Sequence, residues 1–279
     1  MARDTTEVDF VKLSPTRNMT VLVTSRHAVG DYRSIATQLL SAGHVHAEQV
    51  GFVTAPTSPR AQVRLHMAGD EFCGNACMAL AALSAGQLGL GIGARTEIVV
   101  DASGTDSAVT CQVEHQDSGY YCRLTMPRPS RVEAYPFPGV PAGRSALVRY
   151  PDAVHLVVEC AEHDQVVRDR AQETAAHLGA TEGVPVVGVM LYDPVRGDLA
   201  PFINVPSLNS MVWERSCGSG TAALGAYLSA RSGGPVRTSV HQPGGSMQVE
   251  ADHGSDGVTG LRIGGHVRIV AEGTAYVHV

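Results

Sequence analysis

Lysine is all but absent: the 279 residues hold 21 basic side chains, and Lys12 is the only one that is not arginine. Pyridoxal phosphate enzymes tether their cofactor as a Schiff base on a lysine amine. Only Lys12, in a strand-like stretch near the start, offers one, so that cofactor is not expected. Charge is scarce too, at 17% of residues with a net −6 and a pI near 6.0. No basic surface is left for nucleic acid or anionic lipid. No apolar run approaches the ~20 residues that cross a bilayer. The opening Met1-Ala2-Arg3-Asp4-Thr5-Thr6-Glu7 is polar and lacks the apolar stretch of a secretory signal. A cytoplasmic protein with neither membrane nor nucleic-acid partners is the expectation.

There is no CxxC motif, and Cys73-x-x-x-Cys77 has no matching second pair. A structural zinc site and a disulfide framework are therefore not expected, nor is any metal among the scattered histidines. Cys77, Cys111, Cys122 and Cys160 lie in helix- or strand-like runs and read as packing.

Hydrophobic residues are plentiful, at 44%. The chain suffices for one large domain or two of about 140 residues, each with its own core. Short β-branched runs at Val8–Lys12, Met19–Val23, Gln49–Thr54, Gln62–His66, Thr96–Val100, Ala108–Val113 and Tyr121–Met126 read as strands. Among them, Asp31–Ser41 has the period of an amphipathic helix, and Asn75–Leu88 that of a helix apolar on every side. Prolines from Pro127 to Pro141 mark a linker over 131–144, between halves 1–130 and 145–279. The order then repeats. Strands Ala146–Tyr150 and His155–Glu159 come first, then a helix at Gln165–Leu178 ending before Gly179. Strands Val184–Tyr192, Ala200–Asn204 and Ser210–Trp213 follow, with a second apolar helix near Gly220. Strands Val236–His241, Met247–Ala251, Gly260–Ile263 and His266–Val279 close the chain.

The two apolar helices begin alike. One starts at Cys73-Gly74-Asn75-Ala76 and the other at Cys217-Gly218-Ser219-Gly220, 144 residues further on. This spacing predicts an α+β fold of two similar halves, each a mixed sheet wrapped around one buried helix and related by a pseudo-twofold axis. At a helix N-terminus, unsatisfied N–H groups favour a thiolate and bind a carboxylate. Gly74 and Gly218 allow close approach of a ligand, and Asn75 and Ser219 can cap the helix or hold the substrate. If the halves face each other, two thiols flank one bound carboxylate. Such a pair inverts an amino-acid α-carbon without a cofactor, one sulfur removing the proton and the other returning one.

These motifs, with Glu214-Arg215-Ser216 before the second cysteine and Phe10-Val11-Lys12-Leu13 followed by Asn18, resemble the diaminopimelate epimerase superfamily of two-cysteine racemases. The resemblance covers nearly the whole chain. It implies Cys73 and Cys217 as the acid/base pair, with Asn18, Glu214 and Arg215 near the substrate. The asparagines that hold a distal amino-acid head in diaminopimelate epimerases are absent before Cys73, in Asp152-Ala153-Val154-His155 and in Val184–Val189. The short Glu-Arg-Ser-Cys-Gly loop and Asp70-Glu71-Phe72-Cys73 are more similar to the histidine racemases of the superfamily, which serve opine-type metallophore synthesis. The resemblance thus implies histidine as the small-molecule partner, with His66, Asp70 or Glu71 as partners for its imidazole. A diaminopimelate epimerase and a non-catalytic amino-acid-binding protein of the same fold remain the alternatives, and a homodimer is an open assembly.

Overall fold

The computed structural model describes residues 5–161 and 163–279. These form two compact units: residues up to Leu124 together with Gly265–Val279, and Thr125–Gly264. In chain order the first unit holds β1 (Thr5–Pro15), β2 (Thr20–Val23), α1 (Tyr32–Leu40), β3 (Gln49–Thr54), β4 (Val63–Met67), α2 (Gly74–Gln87), β5 (Arg95–Ala102), β6 (Val109–Gln116) and β7 (Gly119–Thr125). The second holds β8 (Arg131–Ala134), β9 (Ser145–Arg149), β10 (Ala153–Glu159), α3 (Gln165–Thr181), β11 (Val186–Asp193), β12 (Asp198–Val205), β13 (Ser210–Trp213), α4 (Gly218–Ser232), β14 (Val236–Gln242) and β15 (Gly245–Gly254). The last strand, β16 (Gly257–His278), contributes its first part to the second unit and its remainder to the first.

The duplication read from the two helix starts extends to the pairing. Along β1 to β6 the neighbours alternate antiparallel, parallel, antiparallel, parallel, antiparallel, and β7 adds antiparallel to β6. The run β9, β10, β11, β12, β14, β15, β16 repeats that sequence of directions, with β13 folded back on β12. Each parallel pair needs a crossover, and helices α1, α2, α3 and α4 supply one each.

Two kinds of helix result. In α1 the buried residues are Tyr32, Ile35, Ala36 and Leu39, a single stripe that packs on Val21, Val23 and Phe52. Helix α2 instead buries its residues on every side, from Gly74 to Ala85, and packs against β1 through β6. Its many alanines let strands approach from all directions. Helix α4 is the equivalent in the second unit, packed against β8–β11, β14 and β15 and ended by Gly233 in the left-handed conformation that glycine adopts without strain. No helix among the described residues is long and apolar enough to cross a membrane.

Three sequence readings change. Helix α3 does not stop before Gly179 but runs on to Thr181, because Gly179 serves packing: a Cβ there would lie 2.7 Å from Nδ2 of Asn204, which donates to the Ala175 carbonyl. The two strands expected at the C-terminus are one, since β15 pairs up to Gly264 and β1 takes over from Val267, which assigns the tail to the first unit. The stretch read as a linker begins as β8, paired to β9, and buries Phe137 in the core of the second unit. Lys12 donates its ammonium protons to the Val45 and His46 carbonyls. Among the described residues no two cysteines are joined in a disulfide.

One buried group makes stability depend on pH. His155 of β10 is fully buried, edge-on to Tyr150 at 5.9 Å between centroids, and a Cβ at Gly188 would collide with its ring. Burial lowers its pKa from 6.5 to about 4. The unfolded chain therefore binds a proton that the folded chain refuses between those values, and stability is lost as pH falls through that window. The loss from this residue is about 1.4 kcal/mol per pH unit. Urea unfolding at pH 7, 6, 5 and 4.5 should show a shallower decline for His155→Leu than for the parent. Parallel curves would mean that His155 is not held neutral.

Candidate active site

Hairpin β12–β13 delivers the chain to the start of α4. Glu214 N–H donates to the Pro201 carbonyl at 2.9 Å, and Gly244 N–H donates to the Arg215 carbonyl at 2.6 Å. Ser216 is fully buried, and its hydroxyl donates to the Met247 sulfur at 3.2 Å. Cys217 occupies the N-cap with extended dihedrals, φ −125 and ψ 113. Its Sγ accepts the Gly220 N–H at 3.3 Å and lies 3.5 Å from Ser219 Oγ. A Cβ at Gly220 would collide with Met190 and approach Cys217 Sγ to 3.3 Å. Glycine there lets the helix turn close over the sulfur.

The Cys217 thiol is pushed well above its ordinary range, first by burial and then by the negative charge of Glu214; Ser219 and the Gly220 N–H act in the opposite direction. The sequence alone favours a thiolate at this helix end. The structure reverses that balance, because a buried charge costs more than a helix terminus returns. Glu214 is buried against the thiol, whereas Arg215 is exposed.

In the first unit, the loop from β4 to α2 is tied by Ser103, whose hydroxyl accepts the Met67 N–H at 3.0 Å and donates to the Glu71 carbonyl at 2.9 Å. Asp70 takes a left-handed φ of 62°, and its carboxylate meets His66 Nε2 at 2.6 Å. Two of the residues read as imidazole partners are thus engaged with each other. Cys73 is the N-cap of α2 with φ −128 and ψ 107, within a few degrees of Cys217. The Cys77 N–H donates to the Cys73 carbonyl at 3.0 Å, as the Thr221 N–H does to the Cys217 carbonyl. The starts of α2 and α4 are copies in backbone as well as in sequence. They differ in exposure, since Cys73 is half-buried and Cys217 buried.

Gly74 and Asn75 are buried in the first turn of α2, and Asn18 is fully buried just before β2, a strand packed on that helix. In the second unit Glu214, Cys217, Gly218 and Ser219 gather at the first turn of α4, with Arg215 at its edge. Sequence reasoning missed the supports: Gln242 and Thr221 on the Cys217 backbone, Met190 at Gly220, Met247 at Ser216, and Ser103 on the loop before α2. None of them stands in a recognisable motif, since most reach the site from other elements of the fold.

Solved structures of a racemase and an epimerase share this fold. A probable proline racemase from Agrobacterium radiobacter shares it at a TM-score of 0.72 and 12% identity, over 95% of this chain and 92% of its own. Residues 7–276 match the family described as histidine racemase CntK N-terminal domain. The chain belongs to the histidine racemase family. A histidine racemase of Staphylococcus aureus is 33% identical over 274 residues, 97% of this chain and 98% of its own. One from Fusobacterium nucleatum is 26% identical over 275 residues, 97% of each.

Proposed function

We propose that this protein racemises histidine without a cofactor, with Cys73 and Cys217 exchanging the roles of base and acid at the α-carbon. The observation that carries the reading is the pair of cysteines with matching N-cap geometry on the two central helices of a histidine racemase family member. As thiolate, one sulfur removes the α-proton. As thiol, the other donates a proton to the opposite face. The product is the mirror-image amino acid, and the two sulfurs have traded protonation states. Burial and Glu214 favour Cys217 as the thiol in the unliganded state.

The barrier lies in the carbanion, whose charge spreads into the carboxylate. The first-turn N–H groups of Gly74, Asn75, Gly218 and Ser219 are the donors assigned to that charge, already oriented by their helices. Glu214 is assigned to the substrate ammonium, Arg215 to a negative group, and Asn18 to orientation of the bound amino acid. The partner is a free amino acid, with no nucleic acid or membrane, and a reducing cytoplasm suits thiols that must stay free.

Incubation of L- and D-amino acids in deuterium oxide tests the substrate. Deuterium should enter Cα of histidine from either enantiomer. Faster exchange into diaminopimelate would replace histidine with that substrate, and binding of histidine without exchange would reduce the protein to an amino-acid-binding module.

A further inference from the structure

Gln242 is buried at the end of β14, and its side-chain amide closes a ring on the backbone of Cys217. Its Oε1 accepts the Cys217 N–H at 2.8 Å, and its Nε2 donates to Thr221 Oγ1 at 2.8 Å. The Thr221 hydroxyl in turn donates to the Cys217 carbonyl at 2.6 Å. The ring begins and ends on one residue, so it restrains both peptide planes that flank Cys217. Those planes set the direction of its Cα–Cβ bond. All members are buried, where a hydrogen bond is not traded for one to water. The ring also occupies the Cys217 N–H, which leaves a substrate carboxylate to the N–H groups of Gly218 and Ser219.

We propose that Gln242 is a positioning residue, which through Thr221 and the Cys217 backbone aims the Cys217 sulfur at the reacting carbon. The inference rests on the acid/base reading of Cys217. A misdirected sulfur slows proton transfer more than it weakens binding, because the contacts assigned to Asn18, Gly74 and Asn75 stay in place. Gln242→Leu and Thr221→Val should therefore lower kcat for histidine at least about tenfold, with KM changed by less than about threefold. Thr221→Ser keeps the hydroxyl and should restore kcat to within about twofold of the parent. Because one ring is broken in either case, the double variant Gln242→Leu/Thr221→Val should be no slower than the slower single variant.

A folded Gln242→Leu enzyme with unchanged kcat would overturn the assignment. So would losses that multiply in the double variant, or a Thr221→Ser enzyme as slow as Thr221→Val. Should Gln242→Leu fail to fold, Gln242→Met removes both ring bonds at similar side-chain volume and, with Thr221→Val, carries the same comparison. Cys217→Ala assayed alongside separates the two readings. An active Cys217→Ala enzyme defeats the acid/base role itself, whereas an inactive one beside a fully active Gln242→Leu enzyme defeats only the positioning role.

Discussion

Cys73→Ala and Cys217→Ala enzymes should each lose histidine racemisation by about a hundred- to ten-thousandfold, the range that a positioned acid or base contributes. Two bases on opposite faces make a sharper prediction than loss alone. With Cys217 removed, the remaining Cys73 can still take a proton from one enantiomer and return one to the same face. That enantiomer then exchanges its α-hydrogen with deuterium oxide without inverting. Cys217 alone should do the same for the other enantiomer. NMR of both enantiomers with both variants gives a two-by-two pattern in which exchange survives on one diagonal. Full turnover by either variant rejects the two-base scheme. Exchange of the same enantiomer by both variants assigns the two sulfurs to one face and rejects it equally. Serine in place of either cysteine should be nearly as damaging, because a hydroxyl is a far weaker base than a thiolate at neutral pH.

A carboxylate placed in the middle of α2 should unfold the first unit. Ala81 is fully buried on a helix that packs against six strands. An aspartate there must either ionise without a partner or remain protonated at neutral pH. A buried carboxyl is raised by about 3–5 pKa units, so the cost is on the order of 4–7 kcal/mol. That is comparable to the whole stability of a typical domain. Ala81→Asp should thus be recovered unfolded, or should unfold in urea with most of the parent's stability gone. The control is Thr37→Asp on α1, at an exposed position of a one-sided helix, where the change should stay within about 0.5 kcal/mol. Equal effects at the two positions would show that α2 has a solvent face.

The contrast between these helices was legible in the residues. In Gly74–Gln87 no polar stripe interrupts the alanines and leucines, whereas Tyr32–Leu40 carries its apolar residues at helical spacing on one side. Strands β3 and β13 begin and end at the expected residues, because β-branched runs flanked by turn formers report local preference well. Gly179 and the Gly264-Gly265 pair misled. A glycine ends an element by local rules, but at Gly179 the chain continues since Asn204 fills the space a side chain would need. At Gly264-Gly265 it continues since a new partner strand is ready. The duplicated Cys-Gly motif named the candidate sulfurs, and nothing in either copy pointed to Gln242, 25 residues beyond Cys217.

From the residues alone followed the kind of fold, its internal repeat, the two candidate sulfurs and the improbability of a lysine-bound cofactor. All of these depend on neighbours a few positions apart or on a motif that recurs. Tertiary structure alone decided that one sulfur is buried against Glu214 and held as a thiol while its counterpart is half-exposed, and that an amide from β14 grips the backbone beneath it. Protonation and aim are set by groups that approach through space, and their approach depends on sheet register and helix packing, which a local pattern does not encode.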